Sequence, residues 1–271
     1  MSGRAIDHIG IASRDLPALA SQYEALGFTL TPLAHHQDHM GTSNRLVQFG
    51  SGRDLGINFI ELLTVDRPGT MLPHAPGFMG FGQFNHDFLA KREGMSLVIF
   101  QTEDTAADLA RWKAKGLDVY DQFNFERFAT LPDGSQATVR FELGFVTSPT
   151  IPGVLFYVCH NKAEEHFWKP QFQAHENGAE EITAISLCVP DAAKAAEFLS
   201  ALFNGEISDR NGGLSVACGA HRIAVATADA LATRWAGSPP YGGVGFEVRC
   251  PDHAGTETPK EQAGNAIINW V

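Results

Sequence analysis

One layout recurs along this chain: an apolar strand, an acidic residue, an amphipathic helix, then a glycine. Its first copy is AIDHIGIASRD followed by LPALASQYEALGF. Ile9 and Ile11 alternate with His8, Gly10 and Ala12, the period of a strand buried on one face. Leu16, Leu19, Tyr23 and Leu26 then follow a helical period. Ser13 or Asp15 stands where a helix is capped, Pro17 where proline is tolerated, and Gly27 where the helix stops. GMSLVIFQTEDTAADLARWKAKGLDV repeats the layout, with Asp104 and Gly116 both at offset 89 from Asp15 and Gly27. EITAISLCVPDAAKAAEFLSALFNGE repeats it again, with Asp191 at offset 176 and Ala195, Phe198, Leu199 and Leu202 on one helical side. GGVGFEVRCPD opens a fourth copy ending in Asp252. The polar remainder, HAGTETPKEQAGNAIINWV, is too short for a helix and three strands, so this copy is a remnant closed by AIINWV.

Strand-like runs follow each opening: FTLTPLAHH, NRLVQFG and LGINFIELLTV in the first module, LDVYDQFNFERFATL, QATVRFELGFV and GVLFYVCHN in the second, GLSVACG and RIAVATAD in the third. The pattern predicts an α+β fold. Each helix covers the outer face of a mixed or antiparallel sheet, and the inner face curves around a cavity. Modules one and two are expected to form one complete domain over residues 1–162. Residues 163–180 connect it to a smaller degenerate domain over 181–271. Between the first two modules lies DRPGTMLPHAPGFMGFGQFNHDFLAKREG, a long connection expected to cover the cavity. Its Phe78, Phe81, Phe84 and Phe88 either line an apolar cavity or anchor the loop on the core.

The net charge of −11 without a basic run argues against nucleic acid or an anionic membrane surface as partner. A local arginine could still receive a small anion. No apolar run reaches the length of a membrane span and no secretory signal opens the chain, so a cytoplasmic location is expected. Cys159, Cys188, Cys218 and Cys250 are far apart in apolar stretches and are expected to be buried, reduced thiols. Phosphate-binding loops, nucleophile elbows and dinucleotide fingerprints are absent from the sequence.

His39-Met40-Gly41-Thr42-Ser43-Asn44-Arg45-Leu46, then Asn58-Phe59-Ile60-Glu61-Leu62-Leu63, resemble the H-x-G-T-x-N and Y-L-E-L signatures of the glyoxalase-like domain family. Leu155 to His160, Trp168-Lys169-Pro170 and His175-Glu176-Asn177-Gly178-Ala179 are also similar to that family's later segments. The family belongs to the vicinal oxygen chelate superfamily, with glyoxalase I and extradiol dioxygenases. The resemblance implies tandem βαβββ modules and a divalent metal (Zn, Mn, Fe or Ni) held by the first and last strands of two paired modules. His8 takes the first-strand place and Glu61 the last-strand place of module one.

Module two departs from this pattern, because Leu97 stands at the His8 place and its neighbour Ser96 is a poor ligand. Aligning Gly56 with Gly153 sets Val158 against Glu61, and a shift of two residues sets His160 there. A three-ligand metal site of His8, Glu61 and His160 is therefore expected, with Glu61 also the catalytic group. Glu61 could instead pair with Arg45, and His8 could be a hydrogen-bonded structural histidine beside Asp7. His39, Thr42, Asn44 and Arg45 are expected to bind substrate, whereas His35 and His36 read as solvated loop residues. Module three offers only Ala184, so the second domain is expected to be metal-free. Two functions stay open. One is a divalent-metal-dependent lyase, isomerase or dioxygenase acting on a small oxygenated substrate. The other is a metal-free protein that sequesters a small molecule, as bleomycin-resistance relatives do. A homodimer, with modules pairing between chains, is an alternative to pairing within one chain.

Overall fold

The computed structural model describes residues 5–50, 58–130, 136–210, 212–235 and 237–271. The first β-strand, β1 (Ile6–Ala12), buries Ile9 and Ile11 completely, as the alternation requires. Helix α1 (Leu16–Ala25) follows, then β2 (Ala34–His35), β3 (Thr42–Gln48) and β4 (Phe59–Val65). Helix α2 (Phe81–Leu89) leads to β5 (Gly94–Gln101) and α3 (Thr105–Ala114). The second copy continues with β6 (Asp118–Val119), β7 (Phe123–Thr130), β8 (Gln136–Thr147) and β9 (Leu155–Asn161). These strands form one sheet, β2-β3-β4-β1-β5-β9-β8-β6, with β7 paired to β8. After the short α4 (Glu164–Phe167) come β10 (Glu181–Cys188), α5 (Ala192–Phe203), β11 (Ile207–Arg210), β12 (Gly213–Cys218) and β13 (His221–Ala226). Helix α6 (Ala228–Trp235), β14 (Gly242–Arg249), β15 (Glu257–Thr258) and β16 (Ile267–Trp270) complete a second sheet, β11-β12-β13-β10-β14-β16-β15. No helix among the described residues is long and apolar enough to cross a membrane.

The repeat extends to backbone irregularities. Strand β1 slips register against β5 between Ile6 and His8 and again between Gly10 and Ile11. Strand β10 slips against β14 between Ile182 and Ala184 and between Ser186 and Leu187, each at offset 176. One acidic residue caps each of the three helices: Asp15, Asp104 and Asp191 accept from the amides of Ala18, Ala107 and Lys194 at 2.9, 2.9 and 3.1 Å. Gly27 and Gly116 leave their helices at φ of +85° and +76°, a conformation that favours glycine. Asp104→Ala is expected to lower stability by about 1 kcal/mol in urea unfolding, the ordinary value of an N-cap.

Two segments differ from the expectation. FTLTPLAHH pairs in a ladder only at Ala34 and His35, because Pro32 has no N–H to donate. The connection between the modules is not plain loop. Past Gly80, Phe81, Phe84, Phe88 and Leu89 fall at helical spacing and form α2.

The apolar faces of both sheets that point away from the cavity share one core with α1, α3 and α5. Trp112 is fully buried in it and donates its indole N–H to the Leu202 carbonyl at 2.9 Å. Asn58 ties the sheets by exchanging two 3.0 Å hydrogen bonds with the backbone of Ile182. All four cysteines are free and buried.

Candidate functional site

The register slip at the start of β1 builds the site. Ile6 opposes Phe100 and His8 opposes Ile99, so Asp7 is an extra residue on β1. Such a bulge turns two successive side chains toward one face. Asp7 and His8 therefore both line the cavity, while Ile6 and Ile9 on either side stay in the core. Asp7 Oδ1 lies 2.5 Å from His8 Nδ1, so Nδ1 carries the proton and Nε2 is left as an acceptor. The Tyr157 hydroxyl stands 3.3 Å from that Nε2. Burial, with the charge of Glu61 adding to it, pushes the Tyr157 hydroxyl well above its ordinary range. It remains an O–H and donates to His8.

Glu61 sits opposite on β4, 4% exposed, with Oε2 3.9 Å from His8 Nε2. That is too long for a direct hydrogen bond, so Glu61 Oε2 keeps its lone pairs toward the cavity, while the one lone pair of His8 Nε2 accepts from Tyr157. Asn44 on β3 donates to Glu61 Oε1 at 2.7 Å and to His36 Nε2 at 3.2 Å. Thr42, two residues earlier on the same strand face, accepts from His36 Nδ1 at 2.8 Å and fixes that ring. His36 Nε2 in turn lies 3.6 Å from Glu61 Oε1. Aromatic rings wall the rest of a cavity of about 710 Å³, Phe59, Phe81, Phe125, Phe141, Phe167 and Trp168 among them. Phe59 stacks on the His8 ring at 4.1 Å between centroids. Cys159 also lines the cavity, but burial holds its thiol well above the ordinary range and so protonated.

The wall carrying Phe167 and Trp168 lies between the two sheets and is pinned by Gln48. The Gln48 amide donates to the Phe167 carbonyl at 3.0 Å and accepts from the Lys169 amide at 3.2 Å. His175 locks the same segment: Nδ1 accepts from the Thr29 amide and Nε2 donates to the Gln48 carbonyl, both at 3.0 Å. Burial lowers its pKa to about 4, so the ring is neutral.

Of the residues expected from the sequence, the structure brings His8, Glu61 and Asn44 together, with Thr42 behind His36. It does not bring His39, Arg45 or His160 to them. His39 packs edge-on against Phe123 instead. Arg45 points out of the sheet, pairing with Glu24 at 2.9 Å and donating to the Thr31 carbonyl at 2.9 Å. His160 lies on the opposite face of β9, 3.6 Å from Glu142. The reason is a one-residue slip, which exchanges the two faces of a strand. Gly10 pairs with Glu61 and Ile99 with Tyr157, and at offset 89 Ile99 is the counterpart of Gly10. Tyr157 is thus the counterpart of Glu61, not Val158 or His160. Gly56, on which the other alignment rested, lies outside the described residues. Asp7, His36 and Tyr157 were missed. The one signal for Asp7 was its place beside His8.

The four metal-ligand places that the resemblance implies therefore fall on His8, Glu61, Leu97 and Tyr157. Leu97 packs so closely on Gly10 that a Cβ there would lie 2.6 Å from its Cδ1. Tyr157 spends its hydroxyl on His8. Glu61 gives Oε1 to Asn44, on the side of His36, and turns Oε2 to His8. Among the described residues no group of three or more His, Cys, Asp or Glu side chains is arranged to hold a metal ion. The donor set does not fit the expected centre of His8, Glu61 and His160.

A family model described as a glyoxalase-like domain matches residues 6–203. A hypothetical protein from Staphylococcus aureus superimposes with a TM-score of 0.75 at 12% identity, covering 98% of each chain. A Streptomyces coelicolor methylmalonyl-CoA epimerase variant, in complex with 2-nitronate-propionyl-CoA, is 27% identical over 60% of this chain and 97% of its own, at a TM-score of 0.43. The Mycobacterium tuberculosis methylmalonyl-CoA epimerase is 19% identical over 60% of this chain and 91% of its own, at a TM-score of 0.39. No curated protein matches the chain.

Proposed function

The chain belongs to the glyoxalase-like domain family, and from that premise we propose that its cavity binds a small oxygenated molecule and moves a proton on it. The reaction class is that of a lyase or isomerase, and it runs on His8 and Glu61 without a divalent metal. The observation that carries this reading is Glu61 Oε2 standing 3.9 Å from His8 Nε2, a carboxylate base beside an imidazole that Asp7 holds in place. A carbon acid seated beside that pair meets both groups from one side. Glu61 takes the proton next to a carbonyl. Asn44, donating to the other carboxylate oxygen, keeps Oε2 aimed at the carbon. Tyr157 is placed to turn its O–H from His8 to the substrate oxygen as negative charge develops there, which frees His8 Nε2. Asp7 holds the His8 ring and favours the imidazolium that forms if His8 accepts the proton.

The test uses deuterated water. Candidate hemithioacetals and epimerisable acyl compounds are incubated with the protein, and exchange of their acidic C–H is followed by NMR. Exchange that depends on His8 and Glu61 supports the reading. Ligands that bind without any exchange overturn it in favour of sequestration, which the aromatic lining of the cavity favours.

A further inference from the structure

We infer that the ligand of this cavity is an organic cation: an ammonium group carried on an aromatic or branched alkyl body. The inference rests on the cavity being a small-molecule site and names the charge of what enters it. Five carboxylates line the cavity, Asp7, Glu61, Glu103, Asp104 and Glu164, and among the described residues lining it there is no lysine or arginine. His8 and His36 are its basic groups, and even with both protonated the lining stays negative. Three cations on neighbouring segments are turned to other acids: Arg45 to Glu24, Lys162 to Glu142 and Arg67 to Asp38 and Asp66. An anionic ligand would enter a field of its own sign, which the chain's net charge of −11 deepens.

The apolar part of the lining points to the same class. Phe59, Phe167 and Trp168 cluster with centroids 4.9 to 5.9 Å apart, and Phe125 stacks on Phe141 at 4.9 Å. Aromatic faces attract a cation through their quadrupole and also accept an apolar body, a combination that suits a quaternary or protonated amine. The carboxylates divide into two sets. Asp7 and Glu61 lie deep and are held by His8 and Asn44, whereas Glu103, Asp104 and Glu164 belong to exposed positions at the rim. The rim therefore draws the cation in, and the aromatic wall holds it.

The test is calorimetric titration of the full chain with three probes of nearly equal shape: para-hydroxyphenyltrimethylammonium, its neutral isostere para-tert-butylphenol, and para-hydroxybenzoate. The cation is expected to bind about tenfold more tightly than the neutral isostere, with the anion weakest. Raising salt from about 50 to about 300 mM should narrow the cation's advantage, since the rim charges are screened. The Glu103→Gln/Glu164→Gln double variant, altered only at exposed positions, should narrow it about threefold. Equal or tighter binding of the neutral or anionic probe overturns the inference and leaves the small-molecule site standing. If none of the three binds, the hits of a mixed-charge panel decide. Neutral or anionic hits overturn the inference alone, cationic hits support it, and an empty panel removes the small-molecule reading itself.

Discussion

His221→Ala is expected to destabilise the protein by about 1–3 kcal/mol, the cost of leaving buried polar groups without their partner. His221 and Glu181 are both buried, 4% and 3% exposed, and His221 Nε2 donates to Glu181 at 2.8 Å. Its Nδ1 accepts from the Ile6 amide at 2.9 Å, which fixes the tautomer and ties β13 to the start of β1. Removing the ring strands the Ile6 N–H and leaves Glu181 with Arg249 as its partner. Ile6 is also the residue before the bulge that turns Asp7 and His8 into the cavity, so the site should loosen with the fold. Urea unfolding measures the loss, and a change below about 1 kcal/mol, the value of a surface pair, would contradict this account.

The same pair predicts an acid limb. Burial pushes the Glu181 carboxyl up, but the hydrogen bonds from His221 and Arg249, with the charge of Arg249, outweigh it and hold the carboxyl below its ordinary value of 4.5. A carboxyl that is more acidic folded than unfolded contributes stability in full above the unfolded value. That contribution is lost as pH falls below about 4.5 and through the folded value. Glu181→Gln should therefore be destabilised at neutral pH, with the difference from the native chain shrinking only below that point.

Glu61→Gln is expected to slow proton exchange by about 10²–10⁴-fold while changing ligand affinity little. The amide matches the carboxylate in shape, and its oxygen can still accept from Asn44, so the cavity keeps its walls. What it loses is the basic Oε2 facing His8. The comparison is made on whichever ligand exchanges in deuterated water, with affinity measured separately by titration. A variant that exchanges as fast as the native chain would remove Glu61 from the chemistry. One that loses binding and exchange together would make Glu61 a structural support.

Much of the fold was legible because the repeat is carried by residues with local physical duties. Asp15, Asp104 and Asp191 cap helices, Gly27 and Gly116 end two of them, and Ile9 and Ile11 alternate into the core. The site was legible only where it lies on regular strands, as for His8, Asn44 and Glu61. Asp7 was hidden by a bulge, because alternation assigns it to the core face with Ile9. His36 was hidden because its ring enters the cavity from the turn before β3, and spacing in a turn predicts no direction. Tyr157 was hidden by the one-residue slip between copies, since only the register of β5 with β9 decides which residue of that strand faces His8.

The central claim is that this cavity acts through its own acid and base groups. The most direct measurement is elemental analysis of untagged protein, before and after incubation with Zn, Mn, Fe and Ni, beside Glu61→Ala. Leu97 and Tyr157 at two of the four ligand positions predict far less than one metal per chain, with no difference in the variant. About one metal per chain, lost when Glu61 is removed, would contradict the account and place a metal between His8 and Glu61.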